Sequence, residues 1–198
     1  MSAGRRRATA LLTCAALAAA AGAAPAAGGD DALGQLMAQL AAHTHGHAAF
    51  VERQFIGILD HPLESSGELF YTAPEHLEKR TLKPKPESLT LDHGELAVRR
   101  GARSYTLALR DYPQLAPFID SIRATLAGDR AALERTYDLG FDARADGWTL
   151  TLVPRTAALK SLIASITIGG TADAVRSVEV RRADGDHSLL TISALDAP

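Results

Sequence analysis

The chain has 198 residues, enough for one domain with a substantial core, and its 22% charged and 46% hydrophobic residues are ordinary globular composition. A formal net charge of −2, with no basic run longer than Arg5–Arg7, argues against a nucleic-acid partner. One cysteine, Cys14, excludes a disulfide framework.

Arg5, Arg6 and Arg7 open an export signal. They precede an apolar, alanine-rich stretch from Ala8 to Ala21, then small residues and Pro25. Ala21-Gly22-Ala23 and Ala24-Pro25-Ala26 both satisfy the small-x-small cleavage rule. The expectation is a signal peptide over 1–26 and a mature domain over 27–198, exported to a periplasm. The apolar run is short for a bilayer span and holds Thr9 and Thr13. Cys14 lies inside that run behind Thr13, a poor setting for lipid attachment, so the mature protein has no cysteine. Removal of the three arginines leaves the mature chain more acidic than the whole, which disfavours a role built on anionic membrane surfaces.

Gly28-Gly29-Asp30-Asp31 reads as a leader ending in a helix N-cap. Leu33, Leu36, Met37 and Leu40 follow at i, i+3, i+4 and i+7, an amphipathic helical stripe that frays near His45-Gly46. His43, His45 and His47 invite a metal reading, because on a helix His43 and His47 share a face. They lack a third ligand with supporting carboxylates and any His-Glu-x-x-His pattern, so they read as a polar helix end.

From Phe50 the hydrophobic period changes to two. Strands are expected at Phe50–Leu59, Glu68–Thr72, Leu77–Lys83, Ser88–Leu91, Glu95–Arg99 and Ser104–Leu109. Turn residues separate them: His61-Pro62, Ser65-Ser66-Gly67, Ala73-Pro74, Pro84 and Pro86, His93-Gly94 and Gly101. A second helix interrupts at Pro113–Leu126, with Leu115, Phe118, Ile119, Ile122 and Leu126 at helical spacing and Gly128 as terminator; Ala131–Arg135 adds a turn. Strands resume at Tyr137–Arg144, Trp148–Val153 after Asp146-Gly147, Leu162–Ile168, Ala174–Arg181 and Ser188–Ala194. The fold class is mainly β (α+β): about eleven strands in a single curved antiparallel sheet, with the helices over its apolar face.

Catalytic patterns do not emerge. There is no Gly-x-Ser-x-Gly, no Ser-x-x-Lys in helical context, no phosphate-loop spacing at Gly169-Gly170, and no calcium-loop ligands following Asp184-Gly185-Asp186. The reading is not an enzyme, with no cofactor and no metal. What is left over is apolar surface, which either packs into a filled core or lines a cavity. In the cavity reading the walls are Leu33, Leu36, Met37 and Leu40 on the first helix and Phe118, Ile119, Ile122 and Leu126 on the second. The sheet would supply Phe55, Leu69, Tyr71, Leu89, Leu91, Leu107, Trp148 and Leu150.

Taken in order, these landmarks resemble the periplasmic outer-membrane lipoprotein carriers, the LolA-like family. The matching pieces are the N-terminal helix, Phe50-Val51-Glu52, Ser66-Gly67-Glu68-Leu69-Phe70-Tyr71 with Pro74 and Leu77, Pro86, and Leu91-Asp92 with Gly94. The central helix follows, then Leu150, Leu152 and Pro154, Ile166 and Ile168, and Gly185-Asp186 with Ser188. The resemblance implies an unclosed half-barrel of about eleven strands, lidded by the helices over an apolar cavity. It implies a monomer that takes the acyl chains of a lipoprotein or other lipid from an inner-membrane transporter and passes them to an outer-membrane receptor. Two departures stand out. Ala73 occupies the place of the family's lid-tethering arginine, and no tryptophan lies near Lys79. The Pro74-x-x-Leu77-x-Lys79 form looks more like a divergent branch, some of whose members accompany export machinery for acylated pigments or glycolipids. The alternative function is a non-catalytic envelope adaptor of the same fold, with a filled core and a protein partner.

Overall fold

A computed structural model describes residues 28–112 and 116–195; the expected signal peptide and Leu115 lie outside them. Helix α1 (Gly28–Ala41) leads into strands β1 (His45–Phe55), β2 (Leu63–Thr72), β3 (His76–Lys83), β4 (Glu87–Asp92), β5 (Glu95–Arg100) and β6 (Arg103–Ala108). A 3-10 turn at Leu109–Asp111 precedes helices α2 (Ala116–Leu126) and α3 (Arg130–Thr136). Then come β7 (Tyr137–Arg144), β8 (Gly147–Pro154), the short helix α4 (Ala157–Lys160), β9 (Ile163–Thr171), β10 (Ala174–Arg182) and β11 (His187–Ala194).

All eleven strands form one antiparallel sheet in the order β6-β5-β4-β3-β2-β1-β11-β10-β9-β8-β7. Its edges, β6 and β7, do not pair, so the sheet is an unclosed half-barrel. This order dictates where the helices go. The chain finishes one edge at β6 and must reach the other at β7; α2 and α3 are that crossing. Hydrophobic alternation makes the inner face apolar, and the crossing segment lies on that side with its apolar stripe toward it. The return through β11 then pairs with β1, joining residues as distant as Ala48 and Ala194.

Several boundaries differ from those expected. Residues 28–31 begin α1 rather than precede it. Strand β1 starts at His45 and ends at Phe55, so His45 and His47 stand on a strand and not on a helix end. Both partner strands explain this: His45 pairs with Thr72, and Phe55 is the last residue opposite β11. Ser65, Ser66 and Gly67 lie inside β2 instead of forming a turn. At Gly67 the ladder to β3 is bulged, and a Cβ there would come within 2.0 Å of the Arg80 carbonyl oxygen. The glycine permits that close approach. Four-residue α4, capped by Thr156 Oγ1 accepting from Leu159 N at 3.3 Å, is too short to show a helical period. By contrast Gly128 ends the central helical segment as expected. It has φ +66°, and a Cβ there would strike the Met37 carbonyl oxygen of α1 at 2.1 Å.

One half of the inner face is a filled core. Leu33, Leu36, Met37 and Leu40 of α1, each 3–4% exposed, pack with Leu133, Tyr137, Trp148, Leu150, Leu152, Ile166 and Ile168. Register makes the layer continuous: Phe141, Leu150, Ile168 and Val178 stand opposite one another across β7, β8, β9 and β10. The Trp148 ring lies over Gly170, where a Cβ would meet ring carbon at 2.2 Å, and its indole N–H donates to the Ala172 carbonyl at 2.7 Å.

Candidate functional site

Across the other half of the sheet the inner face is apolar but not filled. Tyr71, Leu77, Leu91 and Leu96 stand opposite one another on β2, β3, β4 and β5. On the next row Ala194, Ala48 and Leu69 line up across β11, β1 and β2. Val178 and Leu190 continue the wall on β10 and β11. Above them α2 presents Phe118, Ile119, Ile122 and Leu126, all half-buried. The helix packs chiefly against α1 and α3 and stands off the sheet. Between lies a cavity of ≈ 610 Å³, within the usual range for small-molecule sites and lined mostly by aliphatic side chains.

Two contacts hold α2 at this distance. The Arg123 guanidinium donates through Nη1 to Glu75 Oε1 at 2.9 Å, tying the helix to the β2–β3 turn. Tyr137 donates its hydroxyl to the Pro117 carbonyl at 3.0 Å, and burial pushes its phenol above the ordinary range, so it remains a donor. The hairpin and α2 are thus linked by an arginine on the helix, whose partner Glu75 lies two residues after Ala73.

Of the residues proposed from sequence, Leu40, Leu69, Tyr71, Leu89, Leu91, Phe118, Ile119, Ile122 and Leu126 come together on the cavity wall. Leu33, Leu36, Met37, Trp148 and Leu150 belong to the filled core instead. Leu107 is on edge strand β6, in the Leu96 row but off the wall. Phe55 is on the outer face, because inner-facing positions of β1 are the even ones through Glu52. There it stacks on His187, ring centroids 4.4 Å apart. Missed by sequence reading were Leu77, Leu96, Val178, Val180, Leu190 and Ile192. Their alternation was visible, but the β1–β11 pairing that turns the last two strands toward the cavity is not a local property. Glu52 and Lys79, a charged pair on the wall, were missed because a search for apolar periodicity passes over them.

The three clustered histidines part company. His43 meets Asp173 at 2.8 Å and holds that carboxyl below the usual range, His45 bonds Thr44, and His47 stacks on Phe70 at 4.4 Å. Among the described residues no group of three His, Cys, Asp or Glu could hold a metal ion. Among them, too, no helix is long and apolar enough to cross a membrane.

Tyr71 is 9% exposed, its hydroxyl has no hydrogen-bond partner among the described residues, and burial pushes its phenol up. An unsatisfied buried hydroxyl costs stability. Tyr71→Phe is therefore expected to raise unfolding free energy by about 1 kcal/mol. Urea titration checks it; a loss of that size would mean the hydroxyl has a partner.

The family model for outer membrane lipoprotein carrier protein LolA-like matches residues 22–198. The chain belongs to the LolA-like family. No curated protein matches it in sequence. Among solved structures it is similar to a LolA superfamily protein of Nitrosomonas europaea, at 10% identity and TM-score 0.45 over 83% of this chain and 94% of that one. It is also similar to the lipoprotein LppX of Mycobacterium tuberculosis, at 12% and 0.45 over 85% and 97%. A chain of the MucA/MucB complex of Pseudomonas aeruginosa aligns at 12% and 0.47 over 84% and 58%. At these scores the family assignment rests on the sequence model alone.

Proposed function

We propose that this LolA-like protein is a non-catalytic periplasmic carrier that holds lipid acyl chains beneath α2 and transfers a lipoprotein or other lipid between membranes. On this reading residues 1–26 are a cleaved signal, an inner-membrane transporter is the donor and an outer-membrane receptor the acceptor. The observation that carries it is α2 itself: its stripe of Phe118, Ile119, Ile122 and Leu126 stays half-exposed over an apolar cavity of ≈ 610 Å³ instead of packing on the sheet. Apolar surface lining an apolar cavity gains free energy when a chain enters, about 0.8 kcal/mol per buried methylene. That driving force is strong enough to hold a chain and non-directional enough to yield it to a better acceptor, with no covalent step.

Native mass spectrometry of protein purified from its own periplasm is expected to show a lipid-sized adduct. After delipidation, a fluorescent long-chain acyl probe is expected to bind one equivalent. Protein that arrives without lipid and ignores every acyl probe would point to an envelope adaptor with a protein partner.

A further inference from the structure

The mostly aliphatic wall carries a well-buried ion pair, set apart from the half-exposed His43–Asp173 pair that also borders the cavity. Glu52 on β1 and Lys79 on β3 both line the cavity, and Lys79 Nζ donates to Glu52 Oε2 at 2.5 Å. Their side chains are only 13% and 26% exposed. Ser65 Oγ also donates to Glu52 Oε2, at 3.3 Å, and the ammonium rests 4.9 Å from the centre of the Phe50 ring. The two residues are not strand neighbours. Lys79 lies opposite Leu69 and Glu52 opposite Ser65, so the lysine reaches diagonally across β2, past the bare backbone of Gly67.

The pair is not needed to join these strands. Unbroken ladders already fix β1 on β2, and β2 on β3 apart from the Gly67 bulge. Half-desolvated ion pairs contribute little net stability, and apolar residues of similar size would serve a packing role better. What the pair does supply is buried polar chemistry in a mostly aliphatic cavity. The ammonium has three donors and spends one on Glu52; the carboxylate has lone pairs beyond those taken by Lys79 and Ser65. Donor and acceptor stand side by side with no net charge.

We infer that the Glu52–Lys79 pair, as part of the carrier function proposed above, recognises the polar group of an uncharged acyl amphiphile, an ester- or amide-linked chain, and discriminates against free fatty acids. The ester or amide carbonyl accepts from Lys79, and a neighbouring hydroxyl or N–H donates to Glu52. A free carboxylate would accept from Lys79 equally well, but it would bring a second anion against Glu52 in a site with little water to screen it. Like charges sharing a poorly hydrated site repel strongly. Glu52 is then the specificity-determining residue, and Lys79 the anchor.

The test is a titration of delipidated protein at neutral pH with three probes of equal chain length: the fatty acid, its monoacylglycerol ester and the plain alkane. Wild type is expected to bind the ester about tenfold more tightly than the acid, and more tightly than the alkane. Glu52→Gln, which keeps shape and removes charge, is expected to raise acid affinity about tenfold while changing ester affinity by no more than about twofold. Lys79→Met is expected to weaken ester binding toward the alkane without rescuing the acid. Should either single variant fail to fold by circular dichroism, the double variant Glu52→Gln/Lys79→Met removes the pair without leaving a charge and is expected to level the three affinities. Wild type that prefers the acid, or a preference that survives Glu52→Gln or the double variant, overturns the assignment and leaves a strand clamp. Binding of all three probes with equal strength overturns it while the carrier reading stands. Binding of none overturns both.

Discussion

Leu152→Asp is expected to leave the protein unfolded at room temperature, with its sheet signal lost in far-ultraviolet circular dichroism. Leu152 is fully buried on the inner face, opposite Leu139 on β7 and Ile166 on β9. The layer above it is complete, because the α1 stripe and Leu133 of α3 close over this half of the sheet. A carboxylate there has no cationic partner and no path to water. Loss of the leucine side chain alone costs about 3 kcal/mol, and the unpaired charge adds several more. Domains of this kind have about 5–15 kcal/mol of stability in total. Leu152→Ala, which creates only the void, is expected to fold with a lowered urea midpoint. If the aspartate variant kept a wild-type melting curve, this half of the molecule would not be the packed core described above.

The same chemical change on the central helix is expected to have a different outcome. Ile122→Asp should fold with stability within about 1 kcal/mol of wild type and lose acyl-probe binding by tenfold or more. Ile122 is half-buried and faces the cavity from α2. Water can follow the new carboxylate into that space, so desolvation is partial. The contacts that place the helix, Arg123 to Glu75 and Tyr137 to the Pro117 carbonyl, do not involve residue 122. A bound acyl chain, however, would lie against the charge and strip its water, which removes the driving force for binding. Circular dichroism and fluorescence titration read the two effects separately. An unfolded variant would mean that the space is filled in solution, in favour of the adaptor; a folded variant with undiminished binding would move the acyl site elsewhere.

The contrast between these two substitutions marks how far the chain is legible one segment at a time. Period-two alternation located the strands, because each side chain's face is set by its own position in the pleat. Turn chemistry placed many of the boundaries: His93 and Gly94, at φ 46° and 77°, make the tight β4–β5 hairpin anticipated from the dipeptide. Where local signals misled, a partner strand was responsible. Ser65-Ser66-Gly67 looks like a turn and His45-Gly46-His47 like a frayed helix, yet both are extended because they pair with each other's strands, Phe50 with Gly67 and His45 with Thr72.

Local patterning is thus enough to read about eleven strands, two amphipathic helices, a single antiparallel sheet and the LolA-like kinship. It could not say which stripe is packed and which lines a cavity. Leu33, Leu36 and Met37 recur at helical spacing, as do Phe118, Ile119, Ile122 and Leu126, yet the first three are closed into the core, the second set faces the cavity, and Leu40 borders both. The assembled fold settles the difference. Spacing reports which side of a helix is apolar, whereas the distance to the opposing wall depends on the β1–β11 closure and on two long-range contacts holding α2 off the sheet. The Glu52–Lys79 pair, 27 positions apart and joined across β2, exists only once that sheet is assembled.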